Sequence, residues 1–152
     1  MTQLAPGGTA ILSSEILHAT SIAIDGRAVL LEGLSGTGKS DLALRLIDRG
    51  AVLISDDRTL LVRTGQHLVA RAPGTIRGRI EVRGLGIVAM PQVDDIPVAL
   101  IVRLGEEPMR MPERRQRRLA GIVVREVAFE AFHASTPVKI EWALRQPEAT
   151  PE

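Results

Sequence analysis

Cysteine and asparagine are both missing from this chain, and 17 of its 19 basic residues are arginine, leaving only Lys39 and Lys139 as lysines. Without thiols there is no disulfide, no thiolate nucleophile and no cysteine-based zinc site. Aromatic side chains are nearly absent too: Phe129, Phe132 and Trp142 are the whole set, too few for the stacking platforms of a single-strand nucleic-acid binder. No apolar run approaches the roughly 20 residues needed to cross a bilayer. Met1 to Ala10 lacks the basic start and unbroken apolar stretch of a secretory signal. A net charge of +1 creates no global field to gather nucleic acid or membrane. The expectation is a cytoplasmic protein with neither kind of partner.

What is present has the composition of one globular domain: 152 residues, 45% apolar and 24% charged. The whole chain, 1–152, is expected to form a single domain with an ordered core over about 9–145 and fraying ends. Short β-branched runs cut by turn residues dominate. Ser21–Ile24 and Arg27–Glu32 flank Asp25-Gly26, the dipeptide suited to a tight hairpin because both turn positions need positive φ. A helix opens at Ser40-Asp41, shows an apolar face at Leu42, Leu46 and Ile47, and stops at Gly50. Ala51–Ile54 reads as a buried strand, and Thr59–Val62 pairs with His67–Ala70 across Thr64-Gly65-Gln66. Further strands are expected at Arg79–Val82, Ile87–Met90, Pro97–Leu104, Ile122–Phe129 and Val138–Leu144, with one short polar helix at Pro112–Leu119. Strands outnumber helices. The expected class is therefore α/β, a mixed or largely antiparallel sheet around one helix.

The strongest motif is GLSGTGKS, which matches G-x-x-x-x-G-K-[ST] over Gly33, Leu34, Ser35, Gly36, Thr37, Gly38, Lys39 and Ser40. Its glycines let the backbone curl until successive N–H groups point inward at phosphate oxygens. The following helix aims its positive end at the same place. Lys39 can then reach the β and γ phosphates of a nucleoside triphosphate, and the Ser40 hydroxyl can ligate Mg²⁺. A GTPase is excluded, because the Asn-Lys-x-Asp segment that reads guanine cannot be built without asparagine.

Asp56-Asp57 follows the apolar strand. The pair can be a turn between strands. It can also divide labour beside Mg-nucleotide, one carboxylate near the metal and the other accepting a proton. Glu81 and Arg83 share one face of a strand in IEVRGLGI, which reads either as a charged strand face with a bulge or as part of the site. His18 precedes the hairpin that delivers the loop, and a lone histidine there is commonly just a surface residue; His67 and His133 receive no role. Arg114-Arg115-Gln116-Arg117-Arg118 can bind phosphate, an acidic partner or RNA, but the expected reading is a solvated helix face.

Three of these segments together resemble one family, the HPr kinase/phosphorylases, which phosphorylate a regulatory serine on the phosphocarrier protein HPr. The carriers of the resemblance are the P-loop followed by Asp56-Asp57-Arg58, the ungapped Glu81-Val82-Arg83-Gly84-Leu85-Gly86-Ile87, and His18 in HATSIAIDG. It spans roughly Glu15–Leu104 and implies a P-loop kinase fold of the PEP-carboxykinase-like type. It also implies ATP and Mg²⁺ as cofactors and an HPr-like protein as partner. By the same resemblance Lys39 holds the phosphates, Ser40 and Glu81 ligate the metal, and Asp56 takes the proton of the attacking serine with Asp57 and His18 in support. Arg110, in MRMPE, is the candidate for the family's later arginine. The chain resembles the short forms that consist of the catalytic domain, and a homo-oligomer is expected because the family forms hexamers. The family's Gly-Arg-Asn segment, tied to the reverse reaction, would fall at Thr136-Pro137-Val138-Lys139-Ile140-Glu141, where no asparagine exists. The C-terminal helix of the long forms is expected to be missing or minimal. The competing readings are an ATP-sensing module without kinase activity and a kinase for a small molecule.

Overall fold

The computed structural model describes residues 13–146; the first residues of the expected 9–145 core and most of both termini lie outside that range. In chain order the elements are β1 (Ser14–Leu17), β2 (Ala19–Ile24), β3 (Arg27–Glu32), α1 (Lys39–Asp48), β4 (Val52–Ser55), β5 (Thr59–Thr64) and β6 (His67–Arg71). A single 3₁₀ turn at Gly74–Ile76 precedes β7 (Arg79–Val82) and β8 (Gly86–Ala89). They are followed by β9 (Ile96–Arg103), β10 (Arg115–Leu119), β11 (Ile122–Ala128) and α2 (Thr136–Arg145).

Nine strands form one sheet: seven run in the order β1-β5-β6-β9-β3-β2-β4, β11 branches from β9 and β10 pairs with β11; β7 and β8 pair separately. β9 is the branch point: it meets β6 at 96–97, β3 from 98 to 103, and β11 from 100 to 103. Its pairings with β3 and β11 are parallel, while those of β2 with β3 and β4 are antiparallel. The sheet is therefore mixed, as expected. Because β2 lies between β3 and β4, the connection β3-α1-β4 crosses over β2.

Ala28, Val29, Leu30 and Leu31 in β3 are all fully buried. A strand covered on both faces reads as a continuous apolar run rather than an alternation. One face, Val29 and Leu31 with Leu100 and Val102, packs under Leu42 and Leu46 of α1 and Ile140 of α2. The other face, Ala28, Leu30 and Ile101, packs against Leu61, Leu68, Leu119 and Val124. The second core exists because the sheet curls on itself. β2 and β5 are separated by β6, β9 and β3 in pairing order, yet the Ser21 and Thr59 hydroxyls share a 2.7 Å hydrogen bond, and Thr59 Oγ1 also donates to the Ala19 carbonyl.

The hairpin at Asp25-Gly26 forms with both residues at positive φ, 50° and 74°. Two expectations fail. Val138–Leu144 is not a strand but belongs to α2, which places Pro137, Ile140 and Leu144 on one buried face. The alternation of V-K-I-E-W misleads because those positions also satisfy a helical period. Pro112–Leu119 is not a helix; Arg115–Leu119 pairs antiparallel with β11 across Ala120-Gly121, both at positive φ. That two-residue hairpin turn outweighs the helix propensity of arginine. β1, paired with β5, had no expectation at all.

Leu30 sits fully buried in the second core. Leu30→Ala is expected to cost about 2–5 kcal/mol, through lost transfer energy and the cavity left behind. Urea unfolding should show a lower midpoint at unchanged slope.

Candidate functional site

The chain leaves β3 at Glu32 and enters α1 at Lys39, so the motif is the whole connection. Thr37 closes its turn twice on the Leu34 carbonyl, through its N–H at 3.1 Å and its hydroxyl at 2.6 Å. Gly36 and Gly38 hold φ of 85° and 96°, conformations that side chains strain to adopt. Lys39 is buried at 7% exposure. Its Nζ donates to the Gly33 carbonyl at 2.7 Å and lies 3.4 Å from Asp57 Oδ1, which draws the ammonium across the mouth of the loop.

Asp56, immediately after β4, gathers the rest. Its Oδ1 accepts from the Ser40 hydroxyl at 2.6 Å and from the Thr20 hydroxyl at 3.0 Å; its Oδ2 accepts from the Glu81 backbone N–H at 2.9 Å. Thr20 Oγ1 in turn accepts from the Asp57 N–H at 3.0 Å. One carboxylate thus ties α1, β2, β4 and β7 together. Asp57, with φ of 65°, faces Lys39 and keeps 58% of its side chain in solvent. The two aspartates are therefore not equivalent: Asp56 is occupied by neutral donors, and Asp57 is an exposed carboxylate paired to an ammonium.

The oxygen donors here, the Ser40 hydroxyl and the Asp56 carboxylate with exposed Glu81 on the adjoining strand, are of the kind that suits Mg²⁺. Among the described residues no cluster of three His, Cys, Asp or Glu side chains forms a protein-only metal cage. His18, exposed between β1 and β2, lines a cavity of about 410 Å³ with Gly33, Leu34, Thr37, Arg103 and Glu106, on the flank of the loop. A larger hollow, about 650 Å³, lies between α1 and α2 and contains none of the motif residues. Arg110 is exposed in the segment between β9 and β10 and makes no hydrogen bond or ion pair with the loop or with either aspartate.

The arginine run is not the expected solvated helix face. On β10, Arg115 and Arg117 are half-buried while Gln116 and Arg118 are exposed. Arg117 donates to both oxygens of Glu32, at 2.7 and 2.5 Å, and also to Glu126. Arg115 bridges Glu126 and Glu106. Glu32 first, and Glu126 with it, hold the Arg117 guanidinium above its ordinary pKa against the opposing effect of burial. Glu32 is the last residue before the P-loop, so the network pins the strand end from which the loop departs. Thr20 and Glu32 escaped the sequence reading. Neither belongs to a local pattern, and their partners lie 36 and 85 residues away.

Arg117→Ala would remove both hydrogen bonds to Glu32, 15% exposed, and one of the two arginine partners of Glu126, 7% exposed, which keeps Arg115. Removing one partner of a fully buried pair costs about 3–5 kcal/mol; with Arg117 itself partly solvated, a loss of about 2–3 kcal/mol is expected by calorimetric unfolding. At Gly38, an added Cβ would stand 2.8 Å from Phe132 Cζ and 2.9 Å from Ala131 Cβ. Gly38→Ala should therefore distort the loop and abolish polyphosphate binding in a titration, while a core reporter such as far-UV circular dichroism stays unchanged.

Comparison with known proteins agrees with this geometry. Residues 10–94 match the family described as the HPr serine kinase C-terminal domain. An HPr kinase/phosphorylase from Burkholderia lata is 35% identical over 143 residues, covering 85% of this chain and 44% of the relative. One from Mycoplasmopsis pulmonis is 39% identical over 84 residues, covering 55% of this chain and 27% of the relative. The chain thus spans less than half the length of these curated relatives. A solved structure of the Hpr(Ser) kinase/phosphatase from Coxiella burnetii superposes with a TM-score of 0.75 at 29% identity, covering 86% of this chain and 94% of that one. The match over residues 10–94, more than half of the chain, and the 35% identity that covers 85% of it lead to one conclusion: the chain belongs to the HPr serine kinase C-terminal domain family.

Proposed function

We propose that this chain is an ATP-dependent protein kinase domain that phosphorylates a serine of an HPr-like carrier protein. The observation that carries the reading is the pairing of Ser40 with Asp56 and of Lys39 with Asp57 at the mouth of one P-loop. Relatives named HPr kinase/phosphorylase support the choice of acceptor.

Bound Mg²⁺ would neutralise charge on the phosphates and orient them for in-line attack. The protein's own contributions follow from the contacts. Inward-facing amides of Gly33 to Ser40 cradle the phosphates at the positive end of α1. Lys39 exchanges its Gly33 carbonyl and Asp57 partners for phosphate oxygens. Ser40 and Glu81 would hold the cation, with Asp56 orienting the Ser40 hydroxyl. The hydrogen bonds favour a different division between the aspartates from the one the family resemblance implies. Asp56 has both oxygens engaged by neutral donors, whereas Asp57 is solvent-facing and becomes available once Lys39 turns to phosphate. Asp57 is the better-placed proton acceptor for the serine hydroxyl, and Asp56 the better-placed organiser of the metal side. His18 supports the acceptor side from the flank of the loop.

Among the described residues no helix is long and apolar enough to cross a membrane, and the arginines at 115 and 117 are spent on carboxylates. The pairing of Arg115 and Arg117 favours a kinase that does not use this run on a nucleic acid. The segment 136–141 forms the first turns of α2 and lacks asparagine, so the proposal covers the forward reaction only.

The test is incubation with ATP, Mg²⁺ and purified HPr, followed by mass spectrometry of the carrier. Wild type should add one phosphate. Asp57→Asn should slow transfer by about 10²-fold or more, the usual contribution of a general base, with MgATP affinity nearly unchanged. Asp56→Asn should weaken magnesium-dependent binding as well as transfer. Transfer by Asp57→Asn at the wild-type rate would remove that residue from the role. Binding of ATP by the wild type with no phosphate on HPr would replace the kinase with an ATP-sensing module.

A further inference from the structure

Beyond the phosphates, the structure points to where the base of the nucleotide rests. The segment between β11 and α2 is tied down at three carbonyl groups, those of Glu130, Ala131 and His133. Thr136 Oγ1 donates to the Glu130 carbonyl, and Arg45 of α1 donates to the carbonyls of Ala131 and, at 3.2 Å, of His133. Arg45 is itself braced by Asp41 at 2.9 Å, one turn back on the same helix. The segment is thus clamped onto the helix that carries the P-loop.

The clamp holds the Phe132 ring against the loop. A methyl group at Gly38 would lie 2.8 Å from Phe132 Cζ and 3.0 Å from Cε1, so the ring abuts the backbone of the residue that immediately precedes Lys39. Even so, the ring remains 66% exposed. Of the other two aromatic side chains, Phe129 is partly buried against the core and Trp142 carries the Arg145 guanidinium 5.0 Å from its ring centre. Phe132 is therefore the aromatic surface that the fold fixes beside the phosphate amides and leaves open to solvent. A planar base, joined to those phosphates through its ribose, finds a π-face there.

We propose that Phe132 is the stacking platform for the base of the bound nucleoside triphosphate. This rests on the reading of Gly33 to Ser40 as a triphosphate site, and it adds the element that distinguishes a nucleotide from a bare polyphosphate. Stacking accepts any base with a π-face, which fits a chain without asparagine to read guanine.

The experiment compares MgATP with magnesium tripolyphosphate by calorimetric titration of the full chain. Phe132→Ala should weaken MgATP binding about tenfold, the scale of one base-aromatic stack, and leave tripolyphosphate binding unchanged. Phe132→Trp in a Trp142→Phe background should retain MgATP affinity, and its emission should respond to MgATP but not to tripolyphosphate. Equal loss of both ligands in Phe132→Ala would show that the ring only props the loop, and unaltered MgATP affinity would place the base elsewhere; either overturns the proposal while leaving the phosphate site standing. Failure of the wild type to bind either ligand would overturn the phosphate site and this proposal together.

Discussion

The carboxylate of Asp56 is the point on which the geometry of this molecule turns. It accepts hydrogen bonds from a helix hydroxyl, a strand hydroxyl and a backbone amide, on Ser40, Thr20 and Glu81. A partly buried carboxylate without such donors would cost several kcal/mol in lost hydration. With them, it sets the distance between the start of α1, the end of β4 and the strand β7. The P-loop alone supplies a generic anion cradle. Its connection to Asp56 places the acidic pair and the strand that carries Glu81 at the same opening.

The flank of the loop is held by a different means. Glu32, Arg117, Glu126, Arg115 and Glu106 alternate in sign, and their strands β3 and β10 are separated by β9 and β11 in pairing order. Such a network adds little net stability compared with apolar packing, but it penalises any arrangement that leaves one member unpaired. It therefore specifies where β3 ends, and with it where the loop begins. In a row of arginines that looks like an anion-binding tract, Arg115 and Arg117 are neutralised by carboxylates within the fold. Among the described residues no comparable anchor holds Arg110, which is exposed between β9 and β10.

Membership of the HPr serine kinase C-terminal domain family and the shared fold account for the common machinery. The particular contacts of this chain then refine the roles within it. Asp57 and Asp56 are adjacent in sequence but face opposite partners, because positive φ at Asp57 turns its side chain toward Lys39. The clamp from Arg45 likewise holds the segment that places Phe132 beside Gly38.

Much of this was written locally in the sequence. The phosphate loop follows from glycine spacing, the hairpin at Asp25-Gly26 from the need for positive φ, and α1 from its apolar stripe, because each depends on residues a few positions apart. The alternation in β10 and the helical face of α2 were legible only in hindsight. Both segments satisfy more than one periodicity, and packing decides between them. Tertiary structure alone brought Thr20 to Asp56, Arg117 to Glu32 and Phe132 to Gly38. These contacts join residues far apart in the chain, and their geometry is set by how a branched sheet curls and where its helices pack. No nearest-neighbour rule carries that information.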